Sequence, residues 1–353
     1  MTLRFSWYGP THGDGRVIGG RSRDLAYSPA YIDDVAAKAE AAGFDMILLP
    51  SGPGCADAMV TAAHIAQATS TLRCLVAVRP GSVPPTILAK SAATVDHLSN
   101  GRLSLNIVTG GSPAELAMDG DHEPHDRRYA RTREFMSVLR AVWSGDETNH
   151  HGEFFHIENA SLEPKPLQPG GPPLYLGGAS EDAIRAAAEA ADVYLMWGEP
   201  SEAVAGQTSK VSAAARACGR TLSFGMRINL VVDRTSSAAW DRAHAMLSQV
   251  DPAMAARASA YIADSDSHAL SRVQALRGQE HRDPAFWTGM VPFRSGNSTA
   301  LVGSVDEVVT SLRRYVDDGV SEFIFSAYPH AETVKLVGEE VLPALRSASA
   351  VGR

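Results

Sequence analysis

The side chains that could do chemistry in this sequence stand directly after short apolar segments. They are arginine, histidine, aromatic and small polar residues, with no facing pair of carboxylates among them. Guanidinium groups match the oxygens of an anion, and aromatic side chains pack against flat rings. The set therefore predicts a site that binds an anion beside a planar ring. In chain order it comprises Thr11, His12, Asp14, Ser51, Cys55, Arg79, Asn106, Thr109, Trp197, Arg227, Asn229, Tyr328 and His330.

A glycine turn provides a second candidate binding element. The stretch LGGASEDAI at 176–184 places Gly177, Gly178 and Ser180 at the start of a predicted helix. Backbone N–H groups and the helix dipole at such a start can hold a phosphate. The same letters also cap ordinary helices, so a phosphate site and a simple helix start both stay open.

Several other chemistries lack their signature residues. No serine stands in a GxSxG turn, and no lysine follows an apolar segment at a Schiff-base position, which argues against both nucleophiles. Cys55, Cys74 and Cys218 form no CxxC pair, and the 12 histidines include no HExxH motif. We therefore predict free thiols and no bound metal.

The elements that must position these side chains follow a repeated pattern. Eight apolar runs alternate with alanine-rich amphipathic segments, which is typical of β-α units around a parallel sheet. The predicted strands are 3–8, 45–49, 73–78, 103–108, 174–176, 193–196, 223–231 and 322–326. The predicted helices are 30–42, 56–69, 84–98, 128–143, 180–190, 202–217, 238–249 and 305–318.

This pattern predicts an α/β fold, a (β/α)₈ TIM barrel whose working face lies at the carboxyl ends of the strands. A doubly wound open sheet competes, but it normally carries GxGxxG after the first strand, and YGPTHGDG lacks that spacing. We predict a single domain over 1–353 with polar insertion loops at 109–127 and 249–296. Long connections of this kind are often lids, and we predict a mobile lid at 250–296.

Composition restricts the partners. The 353 residues carry a formal net charge of −8, which argues against nucleic-acid and membrane-surface binding but not against a local anion pocket. The start MTLRF has no basic segment followed by an apolar one, so we expect a cytoplasmic protein.

Taken together, a series of motifs resembles the bacterial-luciferase-like flavin monooxygenases, and among them the FMNH2-dependent alkanesulfonate monooxygenases. The motifs occur in the family's order over nearly the whole chain. They are PTHGDGR at 10–16, GPGCADA at 52–58, VAVRPG at 76–81, DHLSNGRLSLNIVTG at 96–110, RYARTREF at 128–135, PPLYLGGAS at 172–180, YLMWGEP at 194–200, TALVG at 299–303 and SAYPH at 326–330.

The resemblance implies a barrel that receives reduced FMN from a separate NAD(P)H-dependent FMN reductase. With O2 it would oxygenate the carbon that bears a sulfonate and release an aldehyde and sulfite. It also implies a homodimer or homotetramer and a small anionic organosulfonate as substrate. The implied cofactor residues are Asn106 and Thr109 at the isoalloxazine, with Tyr129, Gly177, Gly178 and Ser180 at the FMN phosphate. The implied substrate-side and catalytic residues are Cys55, Arg227, Asn229, Tyr328 and His330, with His12, Trp197 and Arg294.

One position departs from the family motif. The family has arginine, one residue and then histidine in the seventh strand, whereas here Arg227 is followed by Asn229. Asparagine cannot titrate, so acid-base work at this position must fall on His330 or be absent. Substrates other than a sulfonate therefore stay open: a sulfone, an amide or other C–N bond, or a C–halogen bond. A non-catalytic barrel that binds flavin or sulfonate is the alternative from another class.

Overall fold

The computed structural model describes residues 2–16, 25–279, 281–294 and 296–351. Its strands are β1 (Arg4–Tyr8), β2 (Met46–Leu49), β3 (Arg73–Val78), β4 (Leu103–Ile107), β5 (Thr148–His151), β6 (His156–Ala160), β7 (Leu174–Gly177), β8 (Val193–Trp197), β9 (Ser223–Asp233), β10 (Phe286–Trp287), β11 (Ala300–Ser304) and β12 (Glu322–Ser326). Helices separate most of these strands.

The helices are α1 (Pro29–Ala41), α2 (Ala58–Ala68), α3 (Pro85–Leu98), α4 (Pro113–Met118), α5 (His125–Ser144), α6 (Glu181–Ala190), α7 (Ser201–Ala217), α8 (Ser236–Ser248), α9 (Pro252–Asp264), α10 (His268–Ala275), α11 (Val305–Asp317), α12 (His330–Leu336) and α13 (Leu342–Val351). A 3₁₀ turn covers Val291–Phe293, and a π-helical turn, Val337–Val341, joins the last two helices.

Eight parallel strands close into a barrel, which confirms the predicted (β/α)₈ fold. Their order is β1, β2, β3, β4, β7, β8, β9 and β12, and β12 pairs back with β1. All eight correspond to predicted strands, because strands covered by helices on the outside are nearly continuous apolar runs that stand out in the sequence. Outward side chains such as Phe5 and Trp7 pack against the helices, while inward ones such as Tyr8 and Tyr175 fill the barrel.

Strand β9 is longer than its neighbours and carries an additional strand. Its first part pairs with β8 from Ser223 to Arg227, and its last part pairs in parallel with β11 from Asn229 to Asp233. No strand is predicted at 300–304, although the motif TALVG at 299–303 overlaps β11. The side unit that follows β9, made of α8 and β11, packs around its own small core of residues such as Val231 and Met290.

The two predicted insertions are not simply polar loops, and the prediction is wrong in this respect. Helix α4 lies in 109–127, while α9, α10 and the short β10 lie in 249–296. The first residue of each of these three helices is preceded by a side chain that accepts a backbone N–H, namely Ser112, Asp251 and Ser267. The predicted helices also omit α12 and α13, and the hairpin of β5 and β6 is too polar to stand out as strands.

The second insertion is anchored to the barrel by a buried ion pair. The guanidinium of Arg128 on α5 is 1% exposed and donates to both oxygens of Asp266, at 2.7 and 2.6 Å. Ser112 donates to Asp264 at 3.0 Å in the same region. Residues 264–266 therefore dock between the β4 end and α5. Within the described residues, no helix is both long enough and apolar enough to cross a membrane.

Candidate active site

A cavity of about 530 Å³ opens at the carboxyl ends of the barrel strands. Residues at or just after the ends of seven barrel strands line it, together with Arg227 within β9 and residues from the second insertion. Fifteen of the predicted site residues line this cavity: His12, Asp14, Ser51, Cys55, Arg79, Asn106, Thr109, Tyr129, Gly177, Gly178, Trp197, Arg227, Arg294, Tyr328 and His330. The structure thus brings together side chains from positions 12 to 330 of the chain.

Three predicted site residues do not line the cavity, namely Thr11, Ser180 and Asn229. Ser180 caps α6, where its hydroxyl accepts the N–H of Ala183 at 3.2 Å, and it also bonds to the Tyr129 hydroxyl behind the cavity wall. Asn229 is 1% exposed and points into the protein. Its amide donates to the carbonyls of Asn297 and Thr299, at 3.2 and 2.8 Å, and its oxygen accepts from Ser326 at 2.7 Å. Every polar atom of the Asn229 side chain is used within the fold.

One end of the cavity is built around a close approach of backbone to a tyrosine. The Tyr129 hydroxyl lies over Gly178, where an added Cβ would come within 2.3 Å of it, and Gly178 has a φ of 141°. Burial raises the pKa of Tyr129 to about 12, so its hydroxyl stays protonated at neutral pH. Tyr194 donates to the Gly178 carbonyl and accepts from Gln207 at 2.7 Å, which fixes the turn from the other side.

Asn106 and Thr109 connect this end to the floor of the cavity. Asn106 is in β4 and Thr109 comes two residues after its end; both are buried, with exposures of 9% and 5%. The Thr109 hydroxyl lies 3.3 Å from that of Thr132 on α5. This end therefore presents hydroxyls, an amide and a glycine turn, which are donors suited to phosphate oxygens and to the polar edge of a ring.

The other end concentrates positive charge. The Arg227 guanidinium lies 4.3 Å from the Tyr8 ring centroid, and that of Arg294 lies 5.3 Å from the Tyr328 ring centroid. Burial lowers the pKa of both guanidiniums, and the neighbouring Arg227 charge helps to bring that of Arg294 to about 10. Among the described residues, no carboxylate oxygen lies within ion-pair distance of either guanidinium. Two partly buried cations without a carboxylate partner favour an anionic ligand between them.

Asp14 and His330 form a buried pair beside these arginines. The Asp14 carboxylate lies 2.8 Å from Nδ1 of His330, and both side chains are almost fully buried. Burial raises the pKa of Asp14, but hydrogen bonds and the charge of His330 outweigh it, so the pKa lies below its usual value. The carboxyl group is therefore ionised at neutral pH.

Some cavity residues are outside the predicted site set. Tyr8 contacts Arg227, and its ring centroid lies 5.2 Å from that of His330. The sequence does carry a signal for Tyr8. It lies two residues after Ser6 in β1, and side chains two apart in a strand point to the same face, here the inside of the barrel. Tyr194 and Tyr261 also line the cavity. Their roles depend on partners far away in the chain, for which the sequence carries no local signal.

Cys55 follows β2 at the end of the cavity that holds the two arginines. Its backbone N–H donates to the Gly52 carbonyl at 3.0 Å, which holds the turn, and the side chain lies close enough to Tyr8 and Arg227 to affect their charge states. Within the described residues, no three histidine, cysteine or carboxylate side chains group in a way that could hold a metal ion.

A closed (β/α)₈ barrel with a polar cavity at its carboxyl-terminal face has the architecture of an enzyme. The family model of the luciferase-like monooxygenases matches residues 3–322. The chain therefore belongs to the luciferase-like monooxygenase family, whose members are flavin-dependent enzymes.

Proteins of known structure that share this fold are named for very different molecules. Long-chain alkane monooxygenase has a TM-score of 0.83 at 18% identity, covering 99% of this chain and 92% of its own. EDTA monooxygenase from Chelativorans sp. BNC1 has a TM-score of 0.76 at 19% identity, covering 99% and 95%. The oxygenating constituent of 3,6-diketocamphane monooxygenase of Pseudomonas putida, in complex with FMN, has 0.70 at 16%, covering 97% and 99%. These similarities concern the fold.

Proposed function

We propose that this chain is an FMNH2-dependent monooxygenase that cleaves the C–S bond of an organosulfonate to give an aldehyde and sulfite. The observation that carries the proposal is the pair of partly buried guanidiniums, Arg227 and Arg294, which face one cavity without a carboxylate partner among the described residues. Two guanidiniums match the three oxygens of a sulfonate. Trp197, Tyr8 and Tyr328 would cover the organic part of the substrate.

The opposite end of the cavity fits reduced FMN. The turn at Gly177 and Gly178 leaves a cradle that a Cβ would fill; the Tyr129 hydroxyl stands at its rim, and Ser180 hydrogen-bonds to Tyr129 from behind. These groups would hold the phosphate, and Asn106 and Thr109 would contact the ring system. When bound, reduced FMN supplies the two electrons with which one atom of O2 enters the substrate. We further propose that a separate NAD(P)H-dependent FMN reductase supplies it.

The reaction balances without any metal. A sulfonate, O2, reduced FMN and no further reductant give an aldehyde, hydrogen sulfite, oxidised FMN and water. The chain's own residues would bind the sulfonate, keep the reacting carbon in a fixed place and accept a proton. His12 and Cys55 would stand at the edge of this substrate pocket.

A related activity on another bond is the second candidate. Asn229, where the family motif has histidine, is the observation in its favour, since it removes a titratable group from the seventh strand. A sulfone, an amide or a C–halogen compound would then be the substrate. A barrel that binds flavin and sulfonate without turnover is the candidate from another class.

One assay separates these candidates. The purified chain is mixed with FMN, NADH, a flavin reductase and a panel of alkanesulfonates, and sulfite and O2 consumption are measured. Substrate-dependent sulfite release supports the proposal, and reactions without the chain or without reductase serve as controls. Turnover of a sulfone or amide with no sulfite from any sulfonate would replace it by the second candidate. O2 consumption that no substrate stimulates would favour the binding protein.

We propose that 250–296 acts as a lid over this cavity; Glu280 and Ser295 in that range lie outside the described residues. The segment contributes Tyr261, Leu270 and Arg294 to the cavity wall. Closure on the bound substrate would exclude water from the reaction. Size-exclusion chromatography with light scattering would test our further proposal of a homodimer or homotetramer.

The Asp266 anchor gives a prediction for this lid. Asp266→Ala leaves the buried Arg128 cation without its partner and should lower the free energy of opening the lid by about 2 kcal/mol. Proteolytic cleavage within 250–296 should then be about 30-fold faster than in the wild type. Bound flavin and sulfonate together should slow cleavage in the wild type.

The control for this experiment is Asp34→Ala. It removes an exposed ion pair with Lys38 and should leave the cleavage rate unchanged. Equal cleavage rates in Asp266→Ala and the wild type would show that the pair does not hold the lid.

A further inference from the structure

Asp14 accepts hydrogen bonds from four different donors. Its Oδ1 accepts from the backbone N–H of Gly15 at 2.8 Å and lies 2.8 Å from Nδ1 of His330. Its Oδ2 accepts from the backbone N–H of His330 at 2.7 Å and from the Tyr31 hydroxyl at 2.6 Å. An ionised carboxylate has about four acceptor sites and no donor, so these contacts use all of them.

This arrangement determines which nitrogen of His330 carries the proton. Since the carboxylate can only accept, Nδ1 must donate its hydrogen to Oδ1. In the neutral ring, Nε2 then has a free lone pair. Nε2 is buried, it has no hydrogen-bond partner among the described residues, and His330 is only 1% exposed while lining the cavity. The nitrogen is thus an acceptor kept for something in the cavity.

The two arginines beside the ring cannot take over this role. Arg227 and Arg294 are donors only. The rings of Tyr8 and Tyr328 lie 5.2 and 5.4 Å from the His330 ring and restrict its rotation. The other histidine position that the family motif leads one to expect is Asn229, whose polar atoms are all used within the fold.

We propose that Asp14 is a positioning residue that holds His330 with Nδ1 protonated and Nε2 directed at the substrate as a proton acceptor. The substrate identity in this proposal rests on the proposed function. Oxygenation of a sulfonate at its first carbon gives a 1-hydroxyalkanesulfonate. Nε2 would take the hydroxyl proton, the O–H electron pair would form the C=O bond, and the C–S pair would leave on sulfur as sulfite. The atoms and charges balance, with His330 as the imidazolium.

The Asp14 carboxylate stabilises that imidazolium, and Arg227 and Arg294 would stabilise the departing sulfite dianion. The titratable and charged groups that face the pair from the surrounding elements are Tyr8, His12, Tyr31, Arg227, Arg294, Tyr328 and Glu332.

The first test reads the tautomer in the wild-type protein. Nitrogen-15 NMR of histidine-labelled protein, with His330→Gln to assign the signal, should show Nδ1 protonated and Nε2 bare at neutral pH. A ring protonated on Nε2 with Nδ1 bare would overturn the proposal. This measurement needs no substrate, so it separates the positioning role from the proposed function, which fails on its own if no sulfonate is turned over.

The second test uses Asp14→Asn, which is nearly the same size. The single amide oxygen can serve only one of the two donor pairs, and the negative charge is lost. We expect kcat to fall about 100-fold, while the KM of the sulfonate and the Kd of FMN change less than about threefold.

Tyr31→Phe is the matched control. It removes one donor from Asp14 but leaves the carboxylate and its contact with His330, so kcat should stay within about threefold of the wild type. An Asp14→Asn enzyme with wild-type kcat would overturn the proposal. A uniform loss of FMN binding, KM and kcat would also overturn it, since that is the result of a merely structural role.

Discussion

Replacing Arg227 by alanine should raise the KM of a sulfonate substrate about 100-fold while leaving the Kd of reduced FMN within about threefold of the wild type. A charge-assisted hydrogen bond contributes about 1.5–3 kcal/mol, and a guanidinium can make two of them to one sulfonate. Arg227 is partly buried and lies over the Tyr8 ring, so solvent screens its interaction with an anion less than at the protein surface. The flavin end of the cavity does not involve this side chain.

The measurement is steady-state kinetics over a range of sulfonate concentrations, with reduced FMN binding followed by anaerobic fluorescence titration. Arg227→Lys keeps the positive charge but not the planar pair of donors, so the KM of the sulfonate should rise about tenfold. Arg242→Ala is the matched control, because Arg242 pairs with Asp233 at the far end of the same strand, outside the cavity. Equal losses of sulfonate and flavin binding in Arg227→Ala would contradict the assigned role.

Replacing Gly178 by alanine should weaken binding of reduced FMN about 100-fold and lower the free energy of unfolding by about 2 kcal/mol. The new Cβ would lie 2.3 Å from the Tyr129 hydroxyl and 2.6 Å from Cβ of Ala183, so the turn or the tyrosine must move. The φ of 141° is also unfavourable for alanine. Both effects fall on the groups that we expect to hold the FMN phosphate.

Anaerobic fluorescence titration with reduced FMN and thermal unfolding would check this pair of changes. Gly206→Ala on α7 is the control, since no atom lies within 4 Å of the added Cβ. Alanine there should stabilise the helix by about 0.5–1 kcal/mol and leave flavin binding unchanged. Wild-type FMN affinity in Gly178→Ala would place the phosphate elsewhere.

Much of the scaffold could be predicted because its signals are local. The eight barrel strands are buried apolar runs, and Ser180 before α6 has the sequence of a helix start. The positions of the insertion helices α9 and α10 could not be predicted from the sequence, because they depend on contacts such as that of Asp266 with Arg128, 138 residues apart.

The candidate site divides in the same way. Residues at strand ends could be predicted as a group, because the barrel sends all of them to one face. The partner of each one could not. Asp14 and His330 are 316 residues apart, and only the pairing of β1 with β12 makes them neighbours. The sequence alone also could not show that Asn229 turns away from the cavity, since its direction depends on Thr299 and Ser326.

The long strand β9 has a consequence for how substrate range can evolve. Its first half belongs to the barrel, and its second half carries the side unit that ends at β11. The chain segment between β9 and β11 supplies Tyr261 and Arg294 to the cavity, whereas the turn at Gly177 and Gly178 and Asn106 belong to the barrel itself. One wall of the reaction chamber is thus encoded as an exchangeable cassette. Changes in that segment would alter the part of the cavity where we expect the substrate, and they would leave the eight barrel strands and the expected flavin site in place.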